Sequence, residues 1–288
     1  MACGTKVNIG MMSTSKPWQR TLIRITIGLV VTFLILVLAD SLVAARTERR
    51  ISNTLYEGSN LATPPSVEVT GLPYTAAAFT HEIQTITVGA RDVDVPGWGL
   101  TSVTSSAQYV TVSRDDVFTG NIHDAPARKV FYRIQLDGVS LGKKMNVSDL
   151  LIQNKDDISP RGGWESEAIF EGTPDGYSQP AAIEMQLRIK QGSVHISAVD
   201  VIKGPNSKGS GAKVVDGDKL SHNVRADLLK TFSMDIPSED LPMRGKPVRV
   251  YVAGGGVFIE SEQYYTSVSI EDLAPYSRPL SKEEKPGL

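Results

Sequence analysis

From Ile25 to Ala39 the chain reads ITIGLVVTFLILVLA without a charge, and past Asp40 it stays apolar or small as far as Ala45. As an α-helix the run from Ile25 to Ala45 is about 31 Å long, the thickness of a bilayer's hydrocarbon core. Polar punctuation is too sparse for the core helix of a soluble protein. Lys6, Lys16, Arg20 and Arg24 precede the run and Arg46, Arg49 and Arg50 come after it, which favours an N-terminus on the inside. Val43-Ala44-Ala45 would suit a signal-peptide cleavage site, but the length of the run and Asp40 within it favour an uncleaved anchor. Either route exports the remainder of the chain. The expected organisation is a cytoplasmic tail at 1–20, a transmembrane signal-anchor or signal peptide at 21–45 and an extracytoplasmic domain at 46–275. A disordered Pro- and Lys-rich tail is expected at 276–288. The protein is thus expected at the cell membrane, single-pass, with its C-terminal domain outside.

Of the 288 residues 41% are apolar, enough to bury a core, and the formal net charge is −2. That charge, with no basic stripe, excludes a nucleic-acid backbone as partner. The one cysteine, Cys3, excludes intramolecular disulfides and cysteine-based metal sites. It precedes the apolar run, so it cannot serve as a lipobox cysteine, and a start at Met11 or Met12 would remove it. His81, His123, His195 and His222 show no metal-ligand spacing, and neither a metal nor any other cofactor is expected. Gly204 to Gly211 lacks the Lys-Ser/Thr pair of a phosphate loop, and no serine sits in a G-x-S-x-G elbow. The pairs Asp92/Asp94, Asp115/Asp116 and Asp156/Asp157 read as solvated turn acids. No enzyme is expected.

After the anchor, period-two alternation appears repeatedly. The clearest case is Ile183, Met185, Leu187 and Ile189, a half-buried strand. The pattern recurs at Ile86 to Ala90, Val130 to Leu136, Val194 to Ala198, Val248 to Val252, Val257 to Ile259 and Val268 to Ile270. Turns at Pro96-Gly97, Asp137-Gly138, Asp175-Gly176 and Gln191-Gly192 imply antiparallel pairing. Three helices interrupt the strands. One continues the anchor through Thr47, Ile51 and Leu55 and stops at Gly58. A second starts near Asn146 or Ser148 and runs to about 158, with Val147, Leu150, Leu151 and Ile158 on one stripe. The third carries Leu220, Val224, Leu228 and Phe232. Few helices among many one-sided strands is the α+β pattern.

Arg49-Arg50-Ile51, the run PPSVEVTGLPY from Pro64 to Tyr74, and ITVGARDV from Ile86 to Val93 resemble the N-terminal signature of the LmeA-like phospholipid-binding proteins of actinobacterial cell envelopes. FSMDIP from Phe232, Leu241-Pro242 and VYVAGGGVFI from Val250 to Ile259 are similar to that family's closing strands. The resemblance implies a tubular lipid-binding-like fold, a strongly curved antiparallel β-sheet wrapping a long helix around an apolar groove. It also implies a role in binding phosphatidylinositol-type phospholipid in the periplasm and in lipoglycan (lipomannan-type) biosynthesis. The function this suggests is non-enzymatic phospholipid binding or lipid transfer at the outer face of the membrane. The alternative is an envelope assembly or scaffold protein that binds another protein by its sheet. Phe131, Leu150, Leu151, Phe170, Leu228, Phe232, Phe258 and Tyr264 are the candidates for acyl-chain contact, since lipid sites are concave and mostly apolar. A closed core is the competing account of the same residues. Arg91, Arg133 and Arg188 are candidates for the lipid phosphate.

Overall fold

The computed structural model describes residues 17–59, 61–71, 73–155 and 165–275. The tail expected at 276–288 and Ile158 lie outside the described residues. The apolar run is the first half of one continuous helix, α1 (Pro17–Glu57). Its most apolar stretch has a mean hydropathy of 2.7, and none of that stretch is buried in the protein. The second half of α1 is amphipathic: Asp40, Thr47, Ile51 and Leu55 are buried along one face.

The change of character falls at Asp40. Its carboxylate accepts hydrogen bonds from the backbone N–H of Tyr74 (2.8 Å) and Thr75 (2.7 Å) and from the Thr75 hydroxyl (2.7 Å). These donors open the 3-10 turn Tyr74–Ala76, whose own flanking residue Pro73 makes no side-chain cap. Asp40 therefore supplies from α1 the acceptor that the turn's N-terminus lacks.

The strands divide between two antiparallel sheets. After β1 (Ser66–Thr70) and a short helix α2 (Ala77–Thr80) come β2 (Glu82–Val95), β3 (Gly99–Thr111), α3 (Arg114–Thr119), β4 (Ala125–Asp137) and α4 (Gly138–Met145). Next are β5 (Leu151–Asn154), β6 (Ser166–Gly172), β7 (Ala181–Lys190), β8 (Ser193–Pro205) and β9 (Val214–Asp216). The chain closes with α5 (His222–Phe232), β10 (Met234–Ile236), β11 (Pro247–Ala253) and β12 (Gly256–Val268). The first sheet has the order β1-β2-β3-β4-β12-β11, and the second β10-β8-β7-β6-β5 with β9 beside β8. The α+β class is found, with an N-terminal apolar helix and two sheets. Gln191-Gly192 and Gly254-Gly255, all with positive φ, make the tight hairpin turns of β7–β8 and β11–β12.

Two cores result. Around one, Ile51 and Leu55 of α1 pack with Tyr74, Ile86, Val110, Val117 and Tyr132. Around the other, Val103, Ile134, Val250 and Ile259 of the first sheet meet Phe170, Ile183, Met185 and Leu187 of the second, with Leu228 and Phe232 of α5. The same long strands thus enter both: α1 covers their inner face at one end and the second sheet covers it at the other.

The alternation slips along one line across the first sheet. Buried Ile83, Val110 and Ala127 are followed by buried Ile86, Ala107 and Val130, a spacing of three on each strand. Between these rows lie Tyr109, Arg128 and Tyr265 on β3, β4 and β12. Tyr109 and Tyr265 both take left-handed backbone angles, φ 52° each.

Several sequence expectations need correction. Leu220 precedes α5 in extended backbone, and Ile270 opens a 3-10 turn after β12 instead of continuing the strand. Residues 146–154 are not helical. Asn146 ends α4 in the left-handed region (φ 57°), and Val147 bridges to Pro174. Asp149 accepts from the Thr173 N–H (2.6 Å) and hydroxyl (2.9 Å), and Leu151–Asn154 pairs with β6. Asn is favoured both before a helix and after one, so its identity alone does not set the direction. Likewise Asp137-Gly138 is a helix start rather than a hairpin turn: the Asp137 carboxylate accepts from Ser140 N–H at 2.8 Å. Gly138 is required there, since a Cβ would lie 2.0 Å from the Leu150 carbonyl oxygen.

Candidate functional site

The two cores meet at Met243, which packs against both. Beside it a cavity of about 220 Å³ opens between the end of α1 and the inner face of the first sheet. Its apolar wall includes Leu55, Val103, Tyr132 and Met243, and Arg244 and Asp272 stand on its polar side. α1 brings Leu55 by the same stripe that buries Ile51. β3 and β4 bring Val103 and Tyr132, and the 3-10 turn Ile270–Leu273 brings Asp272.

Arg244 pairs with Asp272 at 2.6 Å and keeps 56% of its side chain exposed. The Tyr132 hydroxyl donates to the Asp272 carbonyl at 3.2 Å. Burial pushes the Tyr132 phenol up to about 12, with the Arg244 charge opposing and the Asp272 charge adding to the rise. At neutral pH Tyr132 is thus an uncharged donor. The site has an apolar wall, a neutral phenol within and a polar mouth where the Arg244 guanidinium is paired with Asp272 beside Glu271.

On the far side of the segment 241–244 lies a second hollow of about 530 Å³, lined by Val95, Trp98, Lys144 and Leu241 among others. Pro242, Met243 and Arg244 line both. The Trp98 indole N–H donates to the Asp240 carbonyl at 2.9 Å and ties the residue before this segment to the β2–β3 turn.

The residues proposed from sequence fall into three places. Leu150, Phe170, Leu228 and Phe232 are all in the closed second core, none more than 5% exposed. Phe131, Phe258 and Tyr264 lie on the outer face of the first sheet with Arg133. There Phe258 stacks on Tyr251 (5.2 Å) and the Arg133 guanidinium covers Phe131 (5.2 Å). Leu151 stands alone, 60% exposed on β5.

Of the arginines, Arg133 is committed to Glu260 (2.7 Å), a carboxylate only 1% exposed that also meets Arg249 (3.2 Å) and the Tyr251 hydroxyl (2.9 Å). Arg188 is held by Glu165 (3.7 Å), Glu167 (3.5 Å) and the Ser166 carbonyl. Arg91 is exposed on β2. None of the three lines the cavity between the cores, whereas Arg244 and Met243 do and were not singled out. The signal available was weak: Leu-Pro-Met-Arg-Gly places an apolar and a basic residue between two turn-formers. Among the described residues no group of three His, Cys, Asp or Glu side chains converges as a metal site would require.

Residues 38–262 match the family model described as LmeA-like phospholipid-binding. The match begins two residues before Asp40 and ends within β12, so it takes in the buried half of α1 and both sheets. No curated protein and no solved structure matches the chain.

Proposed function

The chain belongs to the LmeA-like phospholipid-binding family, and from that premise we propose that it is a membrane-anchored protein that takes phospholipid acyl chains between its two cores. The cavity at Met243 carries this reading, because it joins an apolar wall in the domain interior to the guanidinium of Arg244, for which a lipid phosphate would compete with Asp272. At about 220 Å³ it is smaller than the usual range of about 300–1,000 Å³ for ligand sites. The segment 241–244 divides it from the larger hollow behind. Lifting that segment joins the two and makes room for a chain, with Arg244 meeting the head group. The buried half of α1 against the first sheet then plays the part of the long helix in a tubular lipid-binding-like fold.

In this reading residues 1–20 are cytoplasmic, 21–45 anchor the protein and 46–275 form a lipid-binding domain on the extracytoplasmic side. Lipoglycan (lipomannan-type) assembly is the process served, and a phosphatidylinositol-type lipid the cargo. The Asp40 contacts support a retained anchor: cleavage after Ala45 would cut α1 inside the packed segment and remove the acceptor for Tyr74 and Thr75.

Native mass spectrometry of the full chain, purified from an envelope-containing host, tests the proposal. Phospholipid should accompany the wild type and Leu151→Asp, whose side chain is exposed, and should be lost from Met243→Asp while the domain still melts cooperatively. A ligand-free dimer would favour the scaffold alternative. Full lipid occupancy in Met243→Asp would remove the site from between the cores.

A further inference from the structure

The end of the domain from which the apolar helix emerges carries exposed aromatic side chains that neither core uses. The chain before α2 runs back along α1. Ser52 donates to the Pro65 carbonyl, Val69 N–H to the Glu48 carboxylate, and Tyr74 N–H to Asp40. It reaches the apolar end at Tyr74 and turns there through α2 into β2. Phe79 sits on this reversal, 77% exposed, while Ala77 and Ala78 take the buried side. The Arg114 guanidinium lies 5.6 Å from the Phe79 ring centroid, and its Nε donates to the Ala78 carbonyl at 3.3 Å.

Close by, on the outer face, is the line where the first sheet slips. Arg128 covers the Tyr109 ring at 4.7 Å and pairs with Glu82, the first residue of β2, at 2.9 Å. Tyr265 is 88% exposed. Left-handed backbone at two bulky aromatic residues is strained, and it aims both rings outward instead of into the core.

We propose that Phe79, Tyr109 and Tyr265, with Arg114 and Arg128, form a seat by which the domain rests in the interfacial layer of the bilayer that α1 crosses. This rests on the reading of α1 as a membrane anchor. Continuity identifies the occupant. No linker separates Ala39 from Asp40, and Asp40 holds Tyr74 and Thr75 directly, so the reversal lies level with the end of the apolar run. Aromatic rings and arginines are the side chains that partition to that layer. The seat also sets a height: Leu55, at the cavity between the cores, is fifteen residues further along α1, about 22 Å from Asp40 at about 1.5 Å per residue.

The test uses the full chain with Cys3→Ser, in nanodiscs holding one molecule each, with a fluorophore on single cysteines introduced by Leu34→Cys, Phe79→Cys, Tyr265→Cys or Val214→Cys. Quenchers on the lipid and in the water report depth. Labels at 79 and 265 should be quenched by a head-group quencher and shielded from the aqueous one, while 214, exposed on β9, shows the reverse. Equal aqueous quenching at 79, 265 and 214 with 34 in lipid would overturn the seat alone. A label at 34 in water would overturn anchor and seat together. Shielding that appears only when several molecules share a disc would show a protein contact and overturn the seat as well.

Discussion

The part of the domain built on α1 and the part built on the second sheet share the long strands of the first sheet, yet they close against different things. On the α1 side the cover is a single helix tied by discrete polar contacts: Asp40 to Tyr74 and Thr75, the Thr47 hydroxyl to the Val117 carbonyl (3.1 Å), and Arg50 to the Phe118 carbonyl (2.9 Å). On the other side it is a whole sheet with α5 and a dense set of fully buried apolar residues, among them Phe170, Leu187, Leu228 and Phe232. A sheet face seals a sheet face, whereas a helix leaves a gap where it ends. The cavity beside Leu55 and Met243 is that gap. On the proposed reading the sheet-covered half is the scaffold, and the junction is where a ligand would enter.

The largest effect should come from the scaffold. Phe232→Ala removes a fully buried ring and should cost about 3–5 kcal/mol of stability, read from the denaturation midpoint. If closure of the second core is independent of ligand, bound phospholipid per folded molecule should not change; a folded but lipid-free Phe232→Ala would erase the distinction between the two halves.

Asp40→Ala comes next. It removes three hydrogen bonds to one carboxylate, with an expected loss of about 3 kcal/mol at about 1 kcal/mol for each bond. Hydrogen exchange should quicken at Tyr74, Thr75 and α2 and stay slow in β7 and β8. Uniform acceleration would show that the two cores open as one.

A smaller, pH-dependent difference is expected at the alkaline end. Burial raises both Tyr74 and Tyr132, in the α1-side core, to about 12. The ordinary phenol ionises near pH 10 (about 10 in model peptides), so above that pH the unfolded chain loses protons that the folded one keeps. The stabilisation is complete below about pH 10 and is lost as pH rises through about 12. Tyr132→Phe should flatten part of this decline, and an unchanged alkaline transition in that variant would exclude Tyr132 as a source.

The smallest effect is on affinity alone. Arg244→Gln keeps the fold and removes one charge-assisted contact to phosphate, an expected weakening of about tenfold. An equal loss with Arg91→Gln would move the phosphate site to the outer face of the first sheet.

Much of the architecture was legible in the residues because it depends on local periodicity and composition. The uncharged run from Ile25 to Ala39, the strand alternation of Ile183 to Ile189, the turn at Gln191-Gly192 and the helical stripe of Val224, Leu228 and Phe232 each report their own conformation, although Leu220, expected on that stripe, lies before α5 in extended backbone. So did the family resemblance, carried by runs of adjacent residues. Asn146 was misread because the same side chain caps either end of a helix, and only the pairing of Leu151–Asn154 with β6 shows which end this is. The choice between acyl contact and closed core for Phe170, Leu228 and Phe232 was not available locally either, since an apolar residue looks the same whether it faces a ligand or another strand. Tertiary structure places all three in the core that the second sheet covers. It also gave Asp40 its role, because the backbone donors that hold the carboxylate lie 34 and 35 residues away at Tyr74 and Thr75. The cavity at Met243 exists only where two separately built cores meet, and no stretch of chain encodes a junction by itself.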